Sequence, residues 1–191
     1  MVVTAGIVWV FQIFVESQKL SISTENRIIA LQIAREGIEA FSNIRETNWF
    51  LFAADTKNCW NTLNYNSNCI SANNTTYDIL HSRSFTTYQG SDNKWYLSQK
   101  SNNESRVYSD INYRNDYRVN KDANGFYTQS WGTNFNPIFT REIKVLYQDT
   151  NGGALNSQDE KVEVKSIVQW KDSNSELAKK VEISTIFTNW K

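Results

Sequence analysis

The chain opens on an uncharged, apolar run and then changes period twice. Residues 1–15 read Met-Val-Val-Thr-Ala-Gly-Ile-Val-Trp-Val-Phe-Gln-Ile-Phe-Val, and the first charges are Glu16 and Lys19. Ile7, Val8, Val10, Phe11, Phe14 and Val15 point all round a helix, which a one-sided core cannot cover. As a helix the run is about 22 Å long at about 1.5 Å per residue. A bilayer core of about 30 Å needs about 20 apolar residues, so the run alone is too short to span it. No Lys or Arg precedes Lys19 and no small-residue cleavage site closes the run, which argues against a secretory signal peptide. The expectation is a membrane or filament stem over residues 1–20 whose first turns lie upstream of Met1.

The helical period then continues. From Leu20 to Thr47 there is no Pro, and Gly37 is the only Gly. Ile28, Leu31, Ala34, Ile38, Phe41 and Ile44 follow steps of three and four, tracing one face. Charges Arg27, Arg35, Glu39 and Glu46 fall largely off that stripe, and Arg35–Glu39 is an i,i+4 pair. Asn48 is a suitable C-cap. The pattern predicts one helix of about 45 residues, with an amphipathic half over 21–48. Ile28, Leu31, Ile38, Phe41 and Ile44 are expected to pack that half onto a sheet.

Residues 49–191 read as a β-rich head. Residues 50–75 are irregular and Asn-rich and hold Cys59 and Cys69. Strands are expected within Tyr77–Tyr88, at Trp95–Leu97, and at Tyr117–Asn120 and Phe126–Gln129 around an Asn124-Gly125 turn. Three later segments alternate at period two, the mark of half-buried strands. They place Ile143, Val145 and Tyr147; then Val162, Val164, Val168 and Trp170; then Val181, Ile183 and Phe187 on one face. Glu142, Lys144, Glu163, Lys165, Gln169 and Glu182 fall on the other. The prediction is an antiparallel meander covered by the amphipathic helix: an α+β fold with a long N-terminal helical spine on a C-terminal antiparallel sheet.

Composition narrows the chemistry. The 191 residues carry 20 Lys+Arg against 20 Asp+Glu, so nothing drives the chain as a whole toward nucleic acid or anionic lipid. One His and two Cys exclude a multi-His centre and a closed zinc site without carboxylates. Asn, Ser and Thr make up roughly 30% of the chain, a turn-rich uncharged surface. His81 has no G-x-S-x-G partner, and no phosphate loop or dinucleotide fingerprint occurs. Asp149–Glu160 meets an EF-hand template at positions 1, 3 and 12 but fails at Gly153 and Ala154, so it reads as a hairpin loop. Aromatics crowd the middle of the chain; with interleaved cations, Trp95, Tyr96 and Arg114 form a candidate partner surface. Ordinary strand residues are the plainer account of the same aromatics.

An apolar stem running into a long amphipathic helix, a variable loop and a C-terminal sheet resembles the type IV pilin and type II secretion pseudopilin superfamily. The residues that carry this are Ala34-Arg-Glu-Gly-Ile-Glu-Ala40, Ile44-Arg-Glu-Thr-Asn-Trp49, Asn124-Gly-Phe-Tyr127, Phe139-Thr-Arg-Glu142, Val168-Gln-Trp-Lys-Asp172 and Phe187-Thr-Asn-Trp190. The resemblance covers 1–49 and 117–190, and 50–116 is this chain's own variable region. It implies a non-catalytic, membrane-anchored subunit that assembles through its N-terminal helix into a type IV pilus or secretion pseudopilus. Its partners would be other pilin-like subunits and the inner-membrane assembly machinery, and no cofactor or metal is implied. It would be a single-pass protein of the bacterial cytoplasmic membrane with its head outside, reaching a cell-surface or periplasmic filament on assembly. The family's basic leader and the Glu that follows it are absent from residues 1–15 and are expected upstream. An anchored binding module, an adhesin or a DNA-capture minor subunit, is the alternative. In an exported protein, Cys59 and Cys69 are expected to pair as a disulfide.

Overall fold

A computed structural model describes residues 2–71, 79, 83–100, 107–121, 127–129, 138–147, 161–172 and 175–188, with side chains from Ile7 onward. His81, the Asn124-Gly125 turn and the Asp149–Glu160 loop lie outside the described residues.

One helix, α1, runs unbroken over Val2–Leu51. It packs on an antiparallel sheet, so the fold is α+β with the expected spine-on-sheet layering. The strands are β1 (Ser84–Gln89), β2 (Trp95–Gln99), β3 (Arg118–Lys121), β4 (Tyr127–Thr128), β5 (Phe139–Tyr147), β6 (Lys161–Trp170) and β7 (Lys179–Thr188). β5, β6 and β7 form the meander, in registers such as Ile143↔Ser166 and Ser166↔Ile183. The other edge of β5 is shared. β3 pairs with its start (Val119↔Phe139) and β1 with its later half (Phe85↔Ile143), so the sheet forks at Arg141 and Glu142.

The helix meets the sheet one step round from the stripe drawn on the sequence. Ala30, Ile33, Ala34, Gly37, Ala40, Phe41, Ile44 and Asn48 are its buried positions. Phe41 and Ile44 pack as expected, Ile38 is half-buried, and Ile28 and Leu31 are exposed instead of packed. Small side chains decide this: Ala30, Ala34, Gly37 and Ala40 let the helix axis approach the strands, leaving the bulkier Ile28 and Leu31 outside the contact. Two apolar clusters result. Phe41, Ile44, Trp60, Phe85, Ile143 and Val164 belong to the larger. Ile33, Phe139, Val168 and Trp170 belong to the one nearer the stem.

Two local expectations change. Asn48 does not end the helix; it is fully buried within it, and its Nδ2 donates to the Thr62 carbonyl at 2.9 Å. Tyr117, expected to open a strand, instead ends a short helix before β3. That helix, Ile111–Tyr117, is capped by Asp110, whose Oδ1 accepts from the Asn112 amide at 2.9 Å. A four-residue helix, α2 (Thr56–Cys59), lies in the cysteine loop, so the helix at Ile111–Tyr117 is α3. α3 covers the outer face of the fork with Tyr113 and Tyr117, and this is why Glu142 and Gln169, assigned to a solvated face, are buried. Gln169 Nε2 donates to the Tyr113 hydroxyl at 3.0 Å. Ser84 Oγ donates to Glu142 at 2.6 Å.

Candidate functional site

The first residues of α1 to touch the head are Ser23 and Asn26, so Val2–Ile22 project from it over about 32 Å at about 1.5 Å per residue. On this projection Ile7, Val8, Trp9, Val10, Phe11, Ile13 and Phe14 are each between 56% and 69% exposed. Val15 is half-buried, and Leu20, Ile22 and Ile28 extend the exposed apolar surface toward the head. Each such side chain gains about 1.5–3 kcal/mol when taken fully out of water. A water-bathed monomer rarely displays contiguous apolar surface on this scale. Among the described residues, no helix is long and apolar enough to cross a membrane. The reason is visible in the chain: the uncharged run gives way to Glu16-Ser-Gln-Lys19, where Lys19 Nζ lies 3.3 Å from Glu16. The expected transmembrane helix is therefore not contained in these residues.

Polar contacts fix where the stem leaves the head. Asp172, just after β6, accepts from Asn26 Nδ2 at 2.7 Å and from Lys179 Nζ at 2.6 Å, and Lys179 also donates to Ser23 Oγ. Burial by itself would raise the Asp172 pKa, but the bonds from Lys179 and Asn26 outweigh it and hold the carboxyl below its ordinary range. At the far end of β7, Arg45 Nη2 donates to the Thr188 carbonyl at 2.6 Å, with its guanidinium over Trp49 and Phe187. The last strand thus holds the helix at both ends.

Between these ends a buried polar knot fills the fork. Arg141 is fully buried and donates to Glu36 Oε1 at 2.9 Å, Thr87 Oγ1 at 2.6 Å and Gln129 Oε1 at 2.9 Å. Gln129 in turn bridges the strands, donating to the Arg141 carbonyl at 2.8 Å and the Tyr117 carbonyl at 3.1 Å. Burial lowers the guanidinium's pKa and Glu36 offsets this. Sequence reading did not single out this residue, although the period-two alternation puts Arg141 in phase with Ile143, Val145 and Tyr147 on the covered face; that parity was the available signal. The nearby Ser84–Glu142 pair is buried from solvent.

The cysteines pair: Cys59 and Cys69 form a disulfide, buried with Phe52. The loop it closes docks on the free edge of β2. Asn64 exchanges two hydrogen bonds with the Leu97 backbone at 3.0 and 3.1 Å, and the Tyr65 hydroxyl donates to the Trp95 carbonyl at 2.7 Å. Asn64 and Tyr65 both carry positive φ here, of 53° and 60°. Burial pushes the Tyr65 phenol up to about 12.

Trp95, Tyr96 and Arg114 each pack against a different neighbour. Trp95 packs against the larger core cluster, and Tyr96 stacks on Tyr88 with ring centres 5.6 Å apart. Arg114 sits over Tyr108 and donates to its carbonyl at 3.1 Å. Among the described residues no group of His, Cys, Asp and Glu is placed to hold a metal ion. No protein-family model, no curated protein and no solved structure matches this chain.

Proposed function

We propose that this chain is a non-catalytic, pilin-like or pseudopilin-like structural subunit, anchored and assembled through α1. The observation that supports this most is the continuity of α1: the helix that forms the spine of the head carries, without a break, the exposed apolar stem. A stem so exposed lowers its free energy by leaving water, either in a bilayer as part of a longer apolar segment or against stems of other subunits. The head then remains outside the cytoplasmic membrane, where a disulfide persists. Partners on this reading are other pilin-like subunits and the inner-membrane assembly machinery.

The alternative is an anchored binding module that does not polymerise. A photoreactive amino acid in place of Phe11, in cells expressing the chain with its native upstream codons, separates the two. The subunit reading expects stem-to-stem crosslinks in multimers, while monomeric chain alone supports the anchored module.

A further inference from the structure

The outer face of the head, opposite α1, holds a groove of about 600 Å³ between the β1–β2 hairpin and the α3–β3 segment. That volume lies in the range of small-molecule sites, about 300–1,000 Å³. Tyr88 lines it, its ring held by stacking on Tyr96. Lys100, Asn115, Asp116 and Arg118 line it too, and among the described residues none of their side chains is engaged in a hydrogen bond or ion pair. Asn120 is 4% exposed on the same wall, and its buried Oδ1 accepts no hydrogen bond. A buried acceptor left without a donor is unfavourable, so this wall is short of one.

We propose that this groove binds a short oligosaccharide. A sugar ring has an apolar C–H face and a rim of hydroxyls, each both donor and acceptor. An aromatic ring, a carboxylate, two cations and an accessible amide supply the matching set: Tyr88 for the C–H face, Asp116 and the Asn115 oxygen to accept, Lys100, Arg118 and the Asn115 amide to donate. The other ligand classes fit less well. A phosphate or nucleic-acid strand meets Asp116 between only two cations. An apolar peptide anchor finds a single ring. The inference is independent of where the stem resides.

The test uses the full chain in lauryldimethylamine oxide micelles, whose headgroup carries no sugar. Cellotetraose, chitotetraose, maltotetraose and tetragalacturonate are titrated in turn and followed by amide chemical shifts. The expected result is a saturable shift of Tyr88, Asn115 and Arg118 with at least one of them, weakened at least about tenfold in Asp116→Ala. Asp116→Asn keeps the side-chain shape and serves where the alanine variant perturbs the rest of the spectrum. Absence of a saturable groove shift with all four up to about 10 mM overturns the proposal. So do unchanged affinity in both variants, and groove shifts produced only by inorganic phosphate or an oligothymidylate.

Discussion

Gly37 of α1 lies against Ser166 of β6 so closely that a Cβ on the glycine would stand 2.5 Å from the serine Oγ and 2.6 Å from Ile143 Cδ1. This is where the helix crosses the sheet, between the two apolar clusters and beside Arg141. A glycine in mid-helix costs about 1 kcal/mol relative to alanine, so its presence here reflects the close approach. Gly37→Ala is expected to destabilise the head by about 1 kcal/mol net, overpacking outweighing the gain in helix propensity, and Gly37→Leu by about 3 kcal/mol or more. Removing the Oγ with Ser166→Ala should recover part of the alanine loss. Urea unfolding of both single variants and the double variant measures the coupling; strictly additive effects would contradict the packing account.

The polar knot makes a second demand. Arg141 reaches three elements with one planar fork, which a lysine cannot reproduce. Arg141→Lys is expected to cost about 3 kcal/mol, since several buried acceptors lose their donor. Glu36 is partly exposed, its side chain 32% accessible, so Glu36→Gln should cost about 1 kcal/mol. Thermal unfolding monitored by near-ultraviolet circular dichroism would rank the two; equal costs would mean that the ion pair alone matters.

Replacing both cysteines, Cys59→Ala with Cys69→Ala, releases a loop of separation 10 and should cost about 2–3 kcal/mol. Because Cys59 and Cys69 are buried, reductant should act on the native protein far more slowly than on the urea-unfolded chain. Thiol trapping with and without urea reads this, and equal rates would place the bond at the surface.

The clamp at the stem's exit gives a pH dependence. Asp172 has a lower pKa folded than unfolded, so its contribution is complete above the unfolded value of about 3.9 and is lost as pH falls through the folded one. Wild type should therefore lose more stability between about pH 5 and 3 than Asp172→Asn, which lacks this carboxylate and starts lower. Parallel stability curves for the two would show that Asp172 does not hold the exit.

Much of this architecture is legible in the residues, because periodicity reports which face is buried. The steps through Phe41 and Ile44 mark the spine, and the alternation Val162, Val164, Val168, Trp170 marks the central strand. The phase of the helix was harder to read. Hydrophobicity favours Ile28 and Leu31 over Ala30 and Gly37, yet close approach to a sheet selects the smaller residues. Glu142 and Gln169 looked solvated because alternation says nothing of a second cover, here α3, whose Tyr113 and Tyr117 share one helical face. Asn48 offered the chemistry of a cap and is used to tether the cysteine loop. The groove combines residues from β1, β2, α3 and β3, and pairing of that kind has no local signature.

The central claim is that the exposed stem of α1 leaves water when the protein is in place. Its most direct test is the distribution of the chain, expressed with its native upstream codons, between soluble and alkali-resistant envelope fractions, beside Val10→Asp with Phe14→Asp. The account predicts wild type in the envelope and the double variant shifted to the soluble fraction with its head folded. A wild-type chain recovered freely soluble and monomeric would contradict it.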